Sequence, residues 1–144
     1  MKKSTLVLAL LIGFILSSCN VLKKNKSEDL SVQNLEGTWV LTYITGPRIT
    51  FDGLYPDKKP TMVFDLENNK IGGNTSCNSY GSTIVLKKEK IKLEQPHSTM
   101  MACEGSGESV FLNTLMNIES YKVKGDTLSF YKDDIEMMRF AKQQ

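Results

Sequence analysis

The sequence predicts a mainly β domain of α+β class, a curved antiparallel sheet with one α-helix, and three observations carry that reading. From Leu35 onward apolar residues alternate with polar ones at a period of two, the pattern of strands with one buried face. Turn-forming clusters, Glu67-Asn68-Asn69, Lys124-Gly125-Asp126 and Asp133-Asp134, separate those runs at hairpin spacing. A single interval, Glu108 to Glu119, switches to the 3.6-residue period of a helix.

The chain opens with a segment that is expected to be removed. Lys2-Lys3 precede an eleven-residue apolar stretch, Leu6 to Leu16, which has the layout of a secretory signal and is too short to span a bilayer. Leu16-Ser17-Ser18-Cys19 closes it and resembles a bacterial lipobox. That resemblance implies cleavage between Ser18 and Cys19 and a diacylglyceryl thioether on the Cys19 thiol. Two or more acyl chains then give stable membrane anchoring where one would bind reversibly. Residues 1–18 are thus read as signal peptide and 19–34 as lipidated cysteine and tether. Asn20 to Asn34 holds only Val21, Leu22, Leu30 and Val32 as apolar members, too few to pack. As a flexible coil it reaches roughly 20 Å, and about 50 Å when straight. Lys23, Lys24 and Lys26 stand where anionic head groups would meet them, or serve as a solvated linker. Asn20 is compatible with outer-membrane sorting, since it is not the aspartate that signals inner-membrane retention. The expected location is the cell envelope, lipid-anchored, at the outer membrane facing the periplasm.

Within the folded domain, read as residues 35–142, Trp39, Leu41 and Tyr43 alternate with Val40, Thr42 and Ile44 in the first strand. Met62, Phe64 and Leu66 form the second, and after the Glu67-Asn68-Asn69 turn a short strand follows around Lys70 to Gly73. Tyr80 to Leu86 pairs with Ile91 and Leu93 across the charged stretch Lys87 to Lys90. The helix carries Val110, Phe111, Leu112, Leu115, Met116 and Ile118 on one side. Ser106 is placed to cap it and Glu108 to meet its exposed amides. Tyr121 to Val123, Leu128 to Phe130 and Ile135 to Phe140 close an antiparallel meander. Trp39, Tyr80, Phe111 and Leu115 are expected in the core.

Charge excludes one class of partner. Removal of residues 1–18 takes Lys2 and Lys3 away and leaves sixteen basic against sixteen acidic side chains. A near-neutral exported domain is not a nucleic-acid module, for which a basic stripe is required. Length suffices for a core without a metal or a dense disulfide framework.

Lipidation of Cys19 leaves Cys77 and Cys103 in an oxidising compartment, where a disulfide between them is expected. Closing about 27 residues stabilises by roughly 3 to 4 kcal/mol in the chain-entropy model. Two alternatives need reduced cysteines: a soft-metal site of Cys77, His97 and Cys103 with Met100 or Met101, and a catalytic thiol paired with His97. The cysteine and histidine spacings match no zinc motif, and no third group orients a Cys-His pair.

Taken in order, Leu35-Glu36-Gly37-Thr38-Trp39-Val40-Leu41, Pro60 to Phe64, Ile71-Gly72-Gly73-Asn74-Thr75-Ser76-Cys77-Asn78-Ser79-Tyr80 and Ser98-Thr99-Met100-Met101-Ala102-Cys103 resemble the successive signature blocks of the META domain. Glu108 to Leu115 falls at that family's Glu-x-x-Phe-x-x-x-Leu helix, and Tyr121 to Phe140 resembles its closing strands. The resemblance implies the HslJ-like fold, a partly open β-barrel with one helix at about residues 107–118. It also implies a shape similar to barrel-like pilotin lipoproteins, and links to heat-shock response and stress tolerance.

The interval Gly46 to Lys59 is longer and more aromatic than a hairpin loop. Phe51, Leu54 and Tyr55 either form an apolar contact surface or tuck under the barrel as a satellite cluster. Gly72-Gly73-Asn74 lacks the lysine of a phosphate loop and does not open a helix, so its glycines serve a bend or bulge. Asn78 is expected to bond the local backbone, and Asp133-Asp134 is a solvated turn rather than an acid–base pair. The expected function is therefore a non-enzymatic, cofactor-free, monomeric binding or assembly module, its partner an envelope protein or small apolar ligand. A thiol-redox or soft-metal protein using Cys77, Cys103 and His97 is the alternative, and a pilotin-like binder of lipid or helix inside the barrel a further one.

Overall fold

The structure, a computed structural model, describes residues 32, 34–46 and 48–144. The segment read as signal peptide, with Ser18, Cys19 and nearly all of the segment read as tether, lies outside the described residues, as does Pro47. Ser31–Gln144 clusters as one compact unit.

Among the described residues from Asn34 onward nine strands and two helices follow in order: β1 (Thr38–Ile44), α1 (Phe51–Leu54), β2 (Thr61–Asp65), β3 (Lys70–Asn74), β4 (Ser79–Lys87), β5 (Lys90–Leu93), β6 (His97–Ser98), α2 (Gly107–Leu115), β7 (Ser120–Lys124), β8 (Thr127–Lys132) and β9 (Ile135–Lys142). All pairings are antiparallel, and eight strands close a ring in the order β1-β2-β3-β4-β5-β7-β8-β9, with β9 returning to β1. The expected mainly β barrel is thus present, and it is closed. Its narrowest join is β5–β7, where Lys90 faces Ser120 and Ile91 and Tyr121 donate backbone hydrogen bonds to Glu119 and Glu89. β6 is the ninth strand, pairing with Tyr80 and Gly81 on the edge of β4 that β5 leaves free.

Local chemistry explains the turns and one change of face. Asp65 accepts from the backbone and side-chain nitrogens of Asn68, which fixes the β2–β3 turn. In β1 the register against β9 shifts between Leu41 and Tyr43, a bulge at which Thr42 Oγ1 donates to the Arg139 carbonyl. Trp39 and Leu41 face inward as expected, but beyond the bulge Ile44 takes the inner face. Tyr43 turns out under the Arg139 guanidinium, 5.4 Å from its ring centre. Gly73 is required by close approach, since a Cβ there would stand 2.1 Å from the Thr61 carbonyl oxygen across the β2–β3 ladder.

Side chains fill the barrel. Trp39, Leu41, Met62, Phe111, Leu115, Leu128, Phe130, Met138 and Phe140 are wholly buried. Tyr80, Phe111, Phe140 and Phe130 form an edge-to-face series with ring centres 5.2, 6.5 and 5.8 Å apart. Trp39 Nε1 donates to the Leu35 carbonyl at 2.8 Å, so even the indole is satisfied. Buried aromatic and aliphatic side chains of both helices and of the strands thus meet in the interior of the barrel.

Candidate functional site at the Cys77–Cys103 bridge

Beyond β3 the chain makes a tight excursion through Thr75, Ser76 and Cys77 before β4 begins. Ser76 sits at φ +96°, a conformation unfavourable for a residue with a Cβ, and Asn74 Oδ1 accepts its backbone N–H at 2.9 Å. Thr75 is fully buried; its N–H donates to the Asn78 carbonyl at 2.8 Å, and its hydroxyl oxygen accepts from Asn78 N at 3.0 Å. The excursion presents two residues to the rest of the molecule: Cys77, which bonds Cys103, and Asn78, whose side chain is buried.

Asn78 reaches much farther than the local turn that the sequence suggests. Its Nδ2 donates to Glu108 Oε2 at 2.8 Å and to the Met101 carbonyl at 3.1 Å. Its Oδ1 accepts from Thr99 Oγ1 at 2.7 Å and from Met101 N at 2.9 Å. The Cys77–Cys103 disulfide, with Cα atoms 6.1 Å apart, ties the same loop from its other side. Loop 99–103 is therefore held at both ends, and the side chains it does not use point outward: Met100 is 97 % and Met101 60 % exposed. Between this loop and α2 runs an open groove of about 630 Å³, lined among others by Asn78, Thr99, Met101, Cys103, Glu108 and Leu112.

Glu108 departs from the role expected of it. It lies in the first turn of α2, yet its carboxylate accepts from Asn78 and from the Thr75 hydroxyl, 3.2 Å away, and stands 3.4 Å from Cys103 Sγ. Ser106 occupies the N-cap position without a side-chain cap bond; instead Ser109 Oγ donates to its carbonyl. α2 is positioned by contact rather than by a cap: Phe111 and Leu115 enter the core, and Gly107 lies against α1, where a Cβ would meet the Leu54 carbonyl at 2.5 Å.

That contact decides the Gly46 to Lys59 interval. The sequence left Phe51, Leu54 and Tyr55 as either a contact surface or a tucked cluster, and they tuck. Leu54 and Tyr55 are buried, Phe51 is partly buried against the Tyr55 ring, and Tyr55 Oη donates to the Gly107 carbonyl at 3.1 Å. Burial pushes the Tyr55 hydroxyl up to about 12. The short helix α1, unannounced by any period in four residues, is what turns these side chains inward, with Thr50 Oγ1 capping it by accepting from Gly53 N.

The proposed partnership of His97 with the cysteines does not form. His97 is exposed on β6 beside Gly81, whereas among the described residues the donor atoms that lie within 4.8 Å of one another belong to Cys77, Cys103 and Glu108. Sequence reading missed Thr75 and Glu108. The available signal was a carboxylate five residues after a cysteine, at the end of an amphipathic helix that must abut the bridge.

Fold and site together define a small closed antiparallel barrel whose distinctive chemistry is a polar knot around one disulfide. The META domain family model matches residues 31–144, and the chain belongs to that family. In fold it is similar to a protein from Burkholderia xenovorans solved by NMR, with 21 % identity, a TM-score of 0.61 and coverage of 78 % of this chain and 86 % of that one. It is likewise similar to a DUF4847 family protein from Bacteroides vulgatus ATCC 8482, with 14 % identity, a TM-score of 0.55 and coverage of 76 % and 96 %. No functionally curated protein matches the chain.

Proposed function

We propose that the protein is a lipid-anchored envelope module that acts by contact, without catalysis, and that its contact face is the methionine-bearing loop beside the bridge. The observation that carries this reading is the exposure of Met100 and Met101 on a backbone fixed by a disulfide and by Asn78. Exposed methionines adapt to varied apolar surfaces, and a prefixed backbone lowers the ordering cost of binding. A groove this open suits an apolar segment of an envelope protein better than a small ligand, which requires enclosure. The lipobox-like Leu16 to Cys19 and the tether supply the anchoring half of the proposal.

A photo-crosslinking residue placed at Met100 in membrane-anchored protein tests the contact, with Val85, 51 % exposed on β4, as control. A discrete adduct at position 100 and none at 85 is expected; equal labelling at both overturns the reading. Intact mass of the same material tests the anchor, through loss of residues 1–18 and acyl addition at Cys19.

A further inference from the structure

Glu108 serves Asn78 and Thr75 as an acceptor, but toward the bridge itself its carboxylate makes no bond. A disulfide sulfur carries no proton, so the 3.4 Å approach of Glu108 Oε2 to Cys103 Sγ brings two electron-rich atoms together without a hydrogen bond between them. The arrangement acquires a purpose once the bridge opens. We infer that reduction of Cys77–Cys103 turns this cluster into a binding site for a borderline-soft divalent cation, Zn²⁺, held by the two thiolates and the Glu108 carboxylate.

Geometry supports that assignment. The three donor atoms already lie within 4.8 Å of one another. Zinc–sulfur bonds of about 2.3 Å at a tetrahedral angle place the two sulfurs roughly 3.8 Å apart. Cysteines with Cα atoms 6.1 Å apart reach that separation by side-chain rotation alone. Glu108 is oriented in advance by neutral donors, Asn78 on Oε2 and Thr75 on Oε1, the arrangement that fixes a ligating carboxylate from behind. The open groove admits the ion and leaves its fourth position to water.

The chemistry balances. A donor dithiol reduces the bridge, supplying two electrons and two protons and becoming a disulfide itself, which leaves Cys77 and Cys103 as thiols. Zn²⁺ then displaces both thiol protons to solvent as two sulfur–metal bonds form, so apparent affinity rises with pH. Exchange with an acceptor disulfide, which takes up the two electrons, and two protons from solvent, and leaves as a dithiol, reforms the bridge and releases the ion. The site is thus conditional on the redox state, and its assignment does not rest on the methionine contact, although opening the bridge frees the loop that carries it.

The test titrates Zn²⁺ into the full chain against a chromophoric chelator, once oxidised and once reduced with a phosphine that adds no competing thiol. One ion per chain in the reduced form and none in the oxidised form is expected. Glu108→Gln, which keeps size and both neutral neighbours, should weaken binding by more than about tenfold. Co²⁺ in place of Zn²⁺ gives a second readout on the unaltered chain: thiolate-to-metal absorption appears only after reduction and falls in Cys103→Ser. Absence of stoichiometric uptake by the reduced chain, or a Glu108→Gln variant that binds as tightly with an unchanged Co²⁺ spectrum, overturns the assignment.

Discussion

Two excursions leave this barrel, and the α1 segment of the first treats its apolar residues in the opposite way to loop 99–103 in the second. The interval between β1 and β2 turns Leu54 and Tyr55 inward until they are 7 % and 2 % exposed, whereas loop 99–103 leaves Met100 97 % exposed. Hydrophobicity does not separate them, since both carry large apolar side chains. What differs is how the backbone is held. α1 fixes the first excursion through burial, against a glycine that lets the two helices touch. The second is fixed by hydrogen bonds to Asn78 and by a disulfide, which need no apolar side chain and so leave the methionines unspent.

The sharpest way to break that contrast is to remove the side chain that anchors the first excursion. Tyr55→Ala deletes a buried ring and its bond to Gly107, and should lower stability by about 3 to 5 kcal/mol. Denaturant midpoints measure it. Opening the bridge should cost about as much or somewhat less, roughly 3 kcal/mol for Cys77→Ser with Cys103→Ser, because the loss falls on the unfolded chain's freedom rather than on packing. The distinguishing readout is local: hydrogen exchange should rise at residues 99–105 in the bridge variant, and at 51–55 and 107–110 in Tyr55→Ala.

Next in size is Asn78→Ala, at about 2 kcal/mol. Four hydrogen bonds go, one of them to a carboxylate, but the groove lets water reach the abandoned partners and offset part of the loss. Combined with an open bridge the effect should be non-additive, since both hold the same loop. Additive losses would show that Asn78 and the bridge act on separate parts of the molecule.

Alkaline pH tests the buried tyrosines. Burial raises the Tyr55 hydroxyl from 10 to about 12, and raises Tyr80 and Tyr121 as well. An acid harder to ionise when folded favours unfolding once the unfolded chain ionises. Stability is then complete below pH 10 and falls as the pH climbs toward 12. Tyr55→Phe should make that decline shallower without moving its start, which Tyr80 and Tyr121 still set, with chemical unfolding at pH 8 and pH 11 as the comparison.

Much of this architecture was legible in the sequence because period two and period 3.6 are local signals. Every barrel strand, and the α2 helix, stand where the alternation and the turns place them, only the short β6 outside the ring being unforeseen, and Trp39 and Tyr80 are core. What was not legible depends on contacts distant in sequence. Closure rests on β1 meeting β9 and β5 meeting β7, and no local pattern encodes which edges join. The bulge at Thr42, which exchanges Tyr43 for Ile44, arises from register against β9. Four residues of α1 are too few to show a period, so the fate of Leu54 and Tyr55 stayed open. At the site, Cys77 and Cys103 announced themselves by residue type, but Glu108 looked like an ordinary charge in the first turn of a helix. Only the packing of α2 against the turn at Thr75 and Asn78 brings it to the sulfurs.

The smallest expected effect sharpens the comparison most, because it asks what the second excursion keeps its methionines for. Met100→Ser should change stability by no more than about 0.5 kcal/mol, since a side chain in solvent loses no packing when shortened. Met101→Ser, at 60 % exposure, should do little more, because Asn78 holds that residue by its backbone and not by its side chain. If the loop serves contact, the pair should instead abolish the adduct at a crosslinker placed on neighbouring Ala102, with the melting curve unmoved. A loss of stability above about 1 kcal/mol would mean that the methionines pack in solution, and the two excursions would then follow one rule.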